Sequence, residues 1–202
     1  EFLPVSSTGH LILASKVLKL GQTDFLKSFE IIIQLGAILS VVVLYWKSLW
    51  NWGNIKKLAV AFVPTGVIGL LLYKTVKTHL LGNLPVVLWS LLIGGVVLII
   101  FEFLHKAHRE PSSRSDLFED PRSDLGRMTY KHAFWVGLCQ SVAIIPGVSR
   151  AAATIVGGLA MGLKRKTIVE FSFLLAVPTM LAASSLDFVK NASSFSKDQF
   201  GF

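Results

Sequence analysis

Long apolar runs dominate the chain, and their lengths match the thickness of a lipid bilayer. Four approach the roughly 20 residues a helix needs to cross: "EIIIQLGAILSVVVLYW" (Glu30 to Trp46), "LAVAFVPTGVIGLLLYK" (Leu58 to Lys74), "LPVVLWSLLIGGVVLIIFEFL" (Leu84 to Leu104) and "VEFSFLLAVPTMLAASSLDFV" (Val169 to Val189). Each reads as a transmembrane helix. Two carry an internal proline, Pro64 and Pro178. Proline is tolerated in a span when neighbouring helices satisfy the freed carbonyl.

Two further segments are apolar but interrupted: Phe2 to Leu20, and Phe134 to Leu163. Each has an apolar approach, a break rich in Pro, Gly and Ser, and a second apolar run. That pattern predicts a re-entrant helix–loop–helix, which survives at membrane depth only when buried in protein or facing a wet cavity. Residues 105–132 form a mixed-charge stretch that reads as a solvated loop. The expected fold is all-α, a single polytopic membrane domain over 1–202.

Charge orients the spans. Lys and Arg number three in loop 47–57, six in loop 105–132 and three at 164–166, so one side holds twelve of the twenty. The positive-inside rule makes that side, with loop 105–132, cytoplasmic. The first broken segment then dips from outside and the second from inside. "PVSS" at 4–7 is echoed by "PGVS" at 146–149, and a glutamate, Glu30 or Glu170, opens the span that follows each break. Similar order with opposite direction predicts an inverted repeat, whose functional site lies near the membrane midplane where the breaks meet. Trp46, Trp50 and Trp52 read as an interfacial belt.

Composition agrees. Of 202 residues 52% are hydrophobic, the mean hydropathy is +0.61 and the net charge is +8. In such a protein the basic excess belongs to loops, not to nucleic-acid binding. A lone Cys139 excludes an internal disulfide and reads as a small packing residue. The chain starts at Glu1 without methionine and closes on the polar "SFSKDQFGF". It therefore reads as an internal piece of a longer protein.

The chemistry concentrates in the two breaks. Arg150, in "PGVSRAAAT", is an arginine at membrane depth, where a charge is costly and generally functional. Its guanidinium can grip phosphate through two bonds. Gly147 and Ser149 can bring backbone N–H groups to the same anion at a helix start. In "EFLPVSSTGH", Ser6, Ser7 and Thr8 supply hydroxyls, Ser6 and Thr8 being equally suited to capping the helix that follows. His10 carries an imidazole, the side-chain type suited to proton transfer, and lies three residues from Ser7, on one face of a helix. That pairing serves a nucleophile and base, or a nucleophilic histidine beside a phosphate-orienting hydroxyl. Glu1 is placed to hold a metal ion or orient His10. An anionic group flanked by apolar spans means a lipid phosphate or diphosphate. The chain has no Walker loop, dinucleotide-binding glycine motif or Cys/His metal cluster.

"EFLPVSSTGHLIL" and "PGVSRAAAT", with the connecting "FEIIIQLGAILSVVV" and "EFSFLLAVP", resemble the signature segments of the undecaprenyl-diphosphate phosphatases, also called bacitracin-resistance proteins. The resemblance covers essentially the whole chain. It implies a hydrolase of the bacterial inner membrane that removes the terminal phosphate of undecaprenyl diphosphate at the outer face, aided by Mg²⁺ or Ca²⁺. It also implies a helix ahead of Glu1 and further helices beyond Phe202. The family's acidic pair is matched only by Glu1, its serine and histidine by Ser7 and His10, and its arginine by Arg150. Ser149 and Thr154 match the second segment. Ala151 departs from the serine that often follows the arginine, which puts a second hydroxyl there in doubt.

Two other readings compete. A phosphatidic-acid-phosphatase type would need a His–Asp pair beyond Arg150, and no histidine follows it. A lipid-phosphate transporter or flippase would use the inverted repeat without needing catalytic Ser7 and His10. A homo-oligomer is compatible with either.

Overall fold

A computed structural model describes residues 3–20, 24–80, 83–107 and 125–191 of the chain. Among the described residues every regular element is a helix. In order these are α1 (Ser7–Val17), α2 (Asp24–Leu44), the short α3 (Trp46–Leu49), α4 (Trp52–Thr75, running into a π turn Val76–Leu80), α5 (Leu84–Ala107), α6 (Tyr130–Gln140, running into a 3₁₀ turn Ser141–Ile144), α7 (Arg150–Ala160) and α8 (Arg165–Asn191).

Three helices are long and apolar enough to cross a membrane: Trp52–Thr75, Leu84–Leu104 and Arg165–Leu186. These coincide with three of the four expected spans. The fourth, at 30–46, falls on α2, whose described apolar run is Ile33–Leu44. The side chain of Glu30 lies outside the described residues. By contrast α1 and α7 have 11 residues each. At 1.5 Å per residue they reach about 16 Å, half of a hydrocarbon core about 30 Å thick.

Side-chain caps set where the short helices begin. The Ser6 hydroxyl accepts from Gly9 N, with Ser6 itself at φ 61. Ser149 accepts from Ala152 N. Thr129 starts α6 through a reciprocal capping box with His132. Each cap satisfies an amide that the first helical turn leaves without a partner.

The core is shared by α4, α6 and α8. It gathers Leu58 and Ala61 with Ala133, Val136, Ile168, Phe171, Leu174 and Leu175. Lipid is as apolar as these side chains, so close packing through small residues holds membrane helices together. At Gly137 a Cβ would lie 1.9 Å from the carbonyl oxygen of Ala61, and at Gly158 it would lie 2.2 Å from Ile168. These contacts seat α6 on α4 and α7 on α8. Helix α5 is mostly turned outward, with Ile99 and Phe103 exposed, and touches the bundle through Val87 and through Leu91 beside Gly9.

The stretch expected to be a solvated loop is partly core. Leu125 and Met128 are buried, and Lys57 Nζ donates to the carbonyls of Leu125 (2.6 Å) and Gly126 (3.2 Å). A buried ammonium on α4 thus draws the end of that loop inward.

Polar contacts define one end of the bundle. Ser48 donates to Glu170 Oε1 at 2.9 Å, and Arg165 pairs with Glu102. The C-terminus of α2, the start of α4, the end of α5 and the start of α8 therefore lie together. This is the lysine-rich end. Helices α2 and α8 pack side by side, and this shared end makes them antiparallel. Short connections follow α1 and α7 into α2 and α8, so α1 and α7 head for opposite ends of the bundle.

Candidate functional site

The second break is shaped by a close approach to α5. In "IPGVSR", Val148 N donates to Ile145 O at 3.1 Å, closing a turn over Pro146 and Gly147. Gly147 has φ +98, and a Cβ there would lie 2.7 Å from the carbonyl oxygen of Val87. Only glycine fits both the conformation and the contact. The chain then turns through Ser149 into α7, making Arg150 its first residue. Arg150 is half-buried, and its Nη1 donates to Thr179 Oγ1 at 3.5 Å. The Thr179 hydroxyl gives its proton to the carbonyls of Leu175 (2.8 Å) and Ala176 (3.0 Å), which leaves its lone pairs facing Arg150.

The first break ends in the same way. Val5 N donates to Leu3 O, and Ser6 in left-handed geometry turns the chain into α1. Thr8 donates to Oε1 of the buried Gln34 at 3.1 Å. His10 is exposed, and its Nδ1 lies 2.9 Å from Ser6 O. A carbonyl can only accept, so Nδ1 carries the proton and the lone pair of the neutral ring belongs to Nε2.

The two breaks share one pocket of about 190 Å³. Ser6, Ser7 and Thr8 line it from the start of α1, and Ser149, Arg150 and Ala151 from the start of α7. Gln34, Thr65, Gln140 and Thr179 close the polar side, while Leu3, Ala143, Ile144, Val148, Met180 and Ala183 form an apolar wall. Among the described residues Arg150 is the one charged lining side chain. Two helix N-termini, each with amides and the positive end of its dipole directed inward, converge on it beside a guanidinium. That arrangement attracts an anion. Counting helical rise from the lysine-rich end, Gln34 lies about 15 Å in, Thr65 about 20 Å and Thr179 about 21 Å. The pocket is therefore about midway along helices of membrane-spanning length.

Some sequence-predicted residues are elsewhere. His10 is one turn beyond the pocket wall. Gly147 is behind the wall, shaping the turn against α5. Thr154 is fully buried, and its hydroxyl bonds to Ser172 Oγ at 2.6 Å and to the carbonyls of Arg150 and Ala151. Glu1 lies outside the described residues.

The family model for bacitracin resistance protein BacA matches residues 1–202. The chain belongs to this family. Similar proteins include the undecaprenyl-diphosphatase of Aquifex aeolicus, 48% identical over 99% of this chain and 74% of the relative. Those of Persephonella marina (51% identical; 96% and 72% covered) and Bdellovibrio bacteriovorus (49%; 94% and 68%) are similarly close.

Within this BacA-family chain, four pocket residues were missed from sequence: Gln34, Thr65, Gln140 and Thr179. Their signal is a lone polar side chain inside an apolar run, and twice a Pro–Thr pair, Pro64–Thr65 and Pro178–Thr179. Donors for a hard cation are limited. Among the described residues no three His, Cys, Asp or Glu come together. The pocket offers hydroxyl and amide oxygens, which suit Mg²⁺ or Ca²⁺ only when anionic oxygens complete the set.

Proposed function

We propose that this chain removes the terminal phosphate of undecaprenyl diphosphate, yielding undecaprenyl phosphate and inorganic phosphate. The observation that carries the reading is the convergence of two capped helix N-termini and Arg150 on one pocket midway along the long apolar helices. The relatives' shared name, undecaprenyl-diphosphatase, supports the substrate. The pocket is smaller than the roughly 300–1,000 Å³ of sites that swallow a small molecule whole. It suits a phosphate head, leaving the polyprenyl tail along the apolar wall and the exposed Val142, Ile145 and Leu181.

In this reading Arg150 and the first amides of α7 take up phosphate charge, and the hydroxyls of Ser6, Ser7 and Thr8 orient the head from α1. The nucleophile comes from the α1 side, where Ser7 lines the pocket and His10 presents Nε2. Ser7 Oγ or His10 Nε2 bonds to the terminal phosphorus as the bridging P–O bond breaks and the lipid monophosphate leaves, and water then cleaves the phosphoryl-enzyme to inorganic phosphate; alternatively His10 takes a proton from a water that attacks the phosphorus directly, giving the same two products in one step. A divalent cation, Mg²⁺ or Ca²⁺, held by Glu1 and the diphosphate oxygens, would supply further charge neutralisation. The rest is positioning and electrostatics, as in other phosphoryl transfers. We place the site toward the outer face of the bacterial inner membrane, because α1 leaves the pocket for the end opposite the lysine-rich one.

The test is release of inorganic phosphate from undecaprenyl diphosphate by the purified protein. Release that disappears in His10→Ala and Arg150→Ala supports the hydrolase. Lipid movement between leaflets without phosphate release would support transport instead.

A further inference from the structure

Gln140 holds a buried acceptor that the fold does not use. It ends α6, is 2% exposed and lines the pocket. Its Nε2 donates to Thr65 Oγ1 at 3.2 Å, while its Oε1 is buried with no hydrogen-bond partner. The orientation of the amide follows from Thr65. That hydroxyl gives its only proton to the carbonyl of Gly137 at 2.7 Å. It can therefore only accept from Gln140, so the NH₂ side must face Thr65 and the oxygen must face away. The arrangement is held at its base by the approach of Gly137 to Ala61, which fixes α6 against α4.

A buried carbonyl oxygen without a donor is costly and calls for a partner. The deprotonated oxygens of a phosphate cannot serve, being acceptors themselves. What fits is a donor, and the donor that a phosphate-filled pocket brings with it is the O–H of a water or of a protonated phosphate. We propose that Gln140 is a positioning residue for the phosphoryl chemistry, its Oε1 accepting from an O–H beside the phosphate held at Arg150. Two sources share this chemistry: a water kept in the pocket, or the hydroxyl of a singly protonated terminal phosphate. Thr65 acts as the clamp that turns the amide oxygen toward it. The proposal rests on the hydrolase reading and adds a residue to it.

The test compares Gln140→Met, Thr65→Val and the double variant for kcat and KM on undecaprenyl diphosphate from about pH 5 to 8, with thermal midpoints measured alongside. Gln140→Met keeps the bulk and removes the acceptor, and should lower kcat/KM on the order of tenfold, the scale of one lost hydrogen bond. The double variant should be no worse than Gln140→Met, since both changes remove one device. A fall in kcat at constant KM assigns the O–H to water. A rise in KM confined to pH below about 6, where the terminal phosphate keeps a proton, assigns it to the phosphate. If buried Met prevents folding, Thr65→Val alone should show a several-fold loss in the same parameter. Unchanged kcat and KM in whichever variant folds, or losses that follow the thermal midpoint and multiply in the double variant, overturn the proposal. Absence of phosphate release by the unaltered protein would strike the hydrolase reading instead.

Discussion

Replacing Gly147 by alanine tests how the pocket is shaped, because Gly162 provides an internal control. Both glycines have positive φ, +98 and +79, but a Cβ at Gly162 meets nothing within 4 Å. At Gly147 it would meet Val87 O at 2.7 Å and the Cβ of Ser90 at 2.9 Å. The conformational penalty for alanine is about 1–2 kcal/mol at either site, partly offset by about 0.5 kcal/mol from a less flexible unfolded chain. Gly162→Ala should therefore cost about 1 kcal/mol. Gly147→Ala adds overpacking against α5, typically about 1–3 kcal/mol, for a total of about 2–4 kcal/mol. Relief of that clash pushes the turn away from α5 and carries Arg150, three residues on, with it. A displacement near 1 Å can cost about a hundredfold in rate. Denaturant unfolding in detergent and phosphate release, measured on both variants, check the two parts. Equal destabilisation by the two substitutions, or full activity in Gly147→Ala, would refute the role given to the approach of the turn to α5.

Other substitutions separate site from scaffold. Thr154→Val should cost about 1–2 kcal/mol of stability by stranding Ser172 and leave KM unchanged; a raised KM at unchanged stability would return Thr154 to the phosphate. Lys57→Met should lower stability by about 1–3 kcal/mol by leaving the carbonyls of Leu125 and Gly126 without their charged donor, measured by unfolding with activity as a secondary readout. Glu102→Gln should shift stability by less than about 1 kcal/mol, because its pair with Arg165 is largely exposed. A larger change would mean that this pair holds α5 to α8.

Where each break turns and where its short helix starts were legible because Pro, Gly and Ser act locally. "PVSST" and "PGVSR" announce a turn, a cap and a short helix without reference to the rest of the chain. The charge count carried the relative directions of α2 and α8, which the contacts of Ser48 with Glu170 and Arg165 with Glu102 reproduce. Other features depend on packing that no local signal encodes. Gln34, Thr65, Gln140 and Thr179 each interrupt an apolar run, but which face of its helix looks into a pocket is decided by neighbours such as Ala61 against Gly137. Thr154 entered as a phosphate candidate only through the resemblance of "PGVSRAAAT" to the family's second segment, and its helix face turns its hydroxyl to Ser172. Leu125 and Met128 sat in a charged stretch, and the fold buries both, with Lys57 holding the carbonyls of Leu125 and Gly126 beside them.

The central claim is that Arg150 binds the phosphate of a lipid diphosphate that this chain hydrolyses. The direct measurement is the steady-state rate of phosphate release from undecaprenyl diphosphate by Arg150→Ala and Arg150→Lys beside the unaltered protein, with folding confirmed by thermal midpoint. Alanine should lose at least about a hundredfold in kcat/KM, the scale of removing one charge-stabilising group from a phosphoryl-transfer site. Lysine should recover only part of it, having charge without the two-pronged grip. Turnover within about twofold of the unaltered protein in a folded Arg150→Ala variant would contradict it.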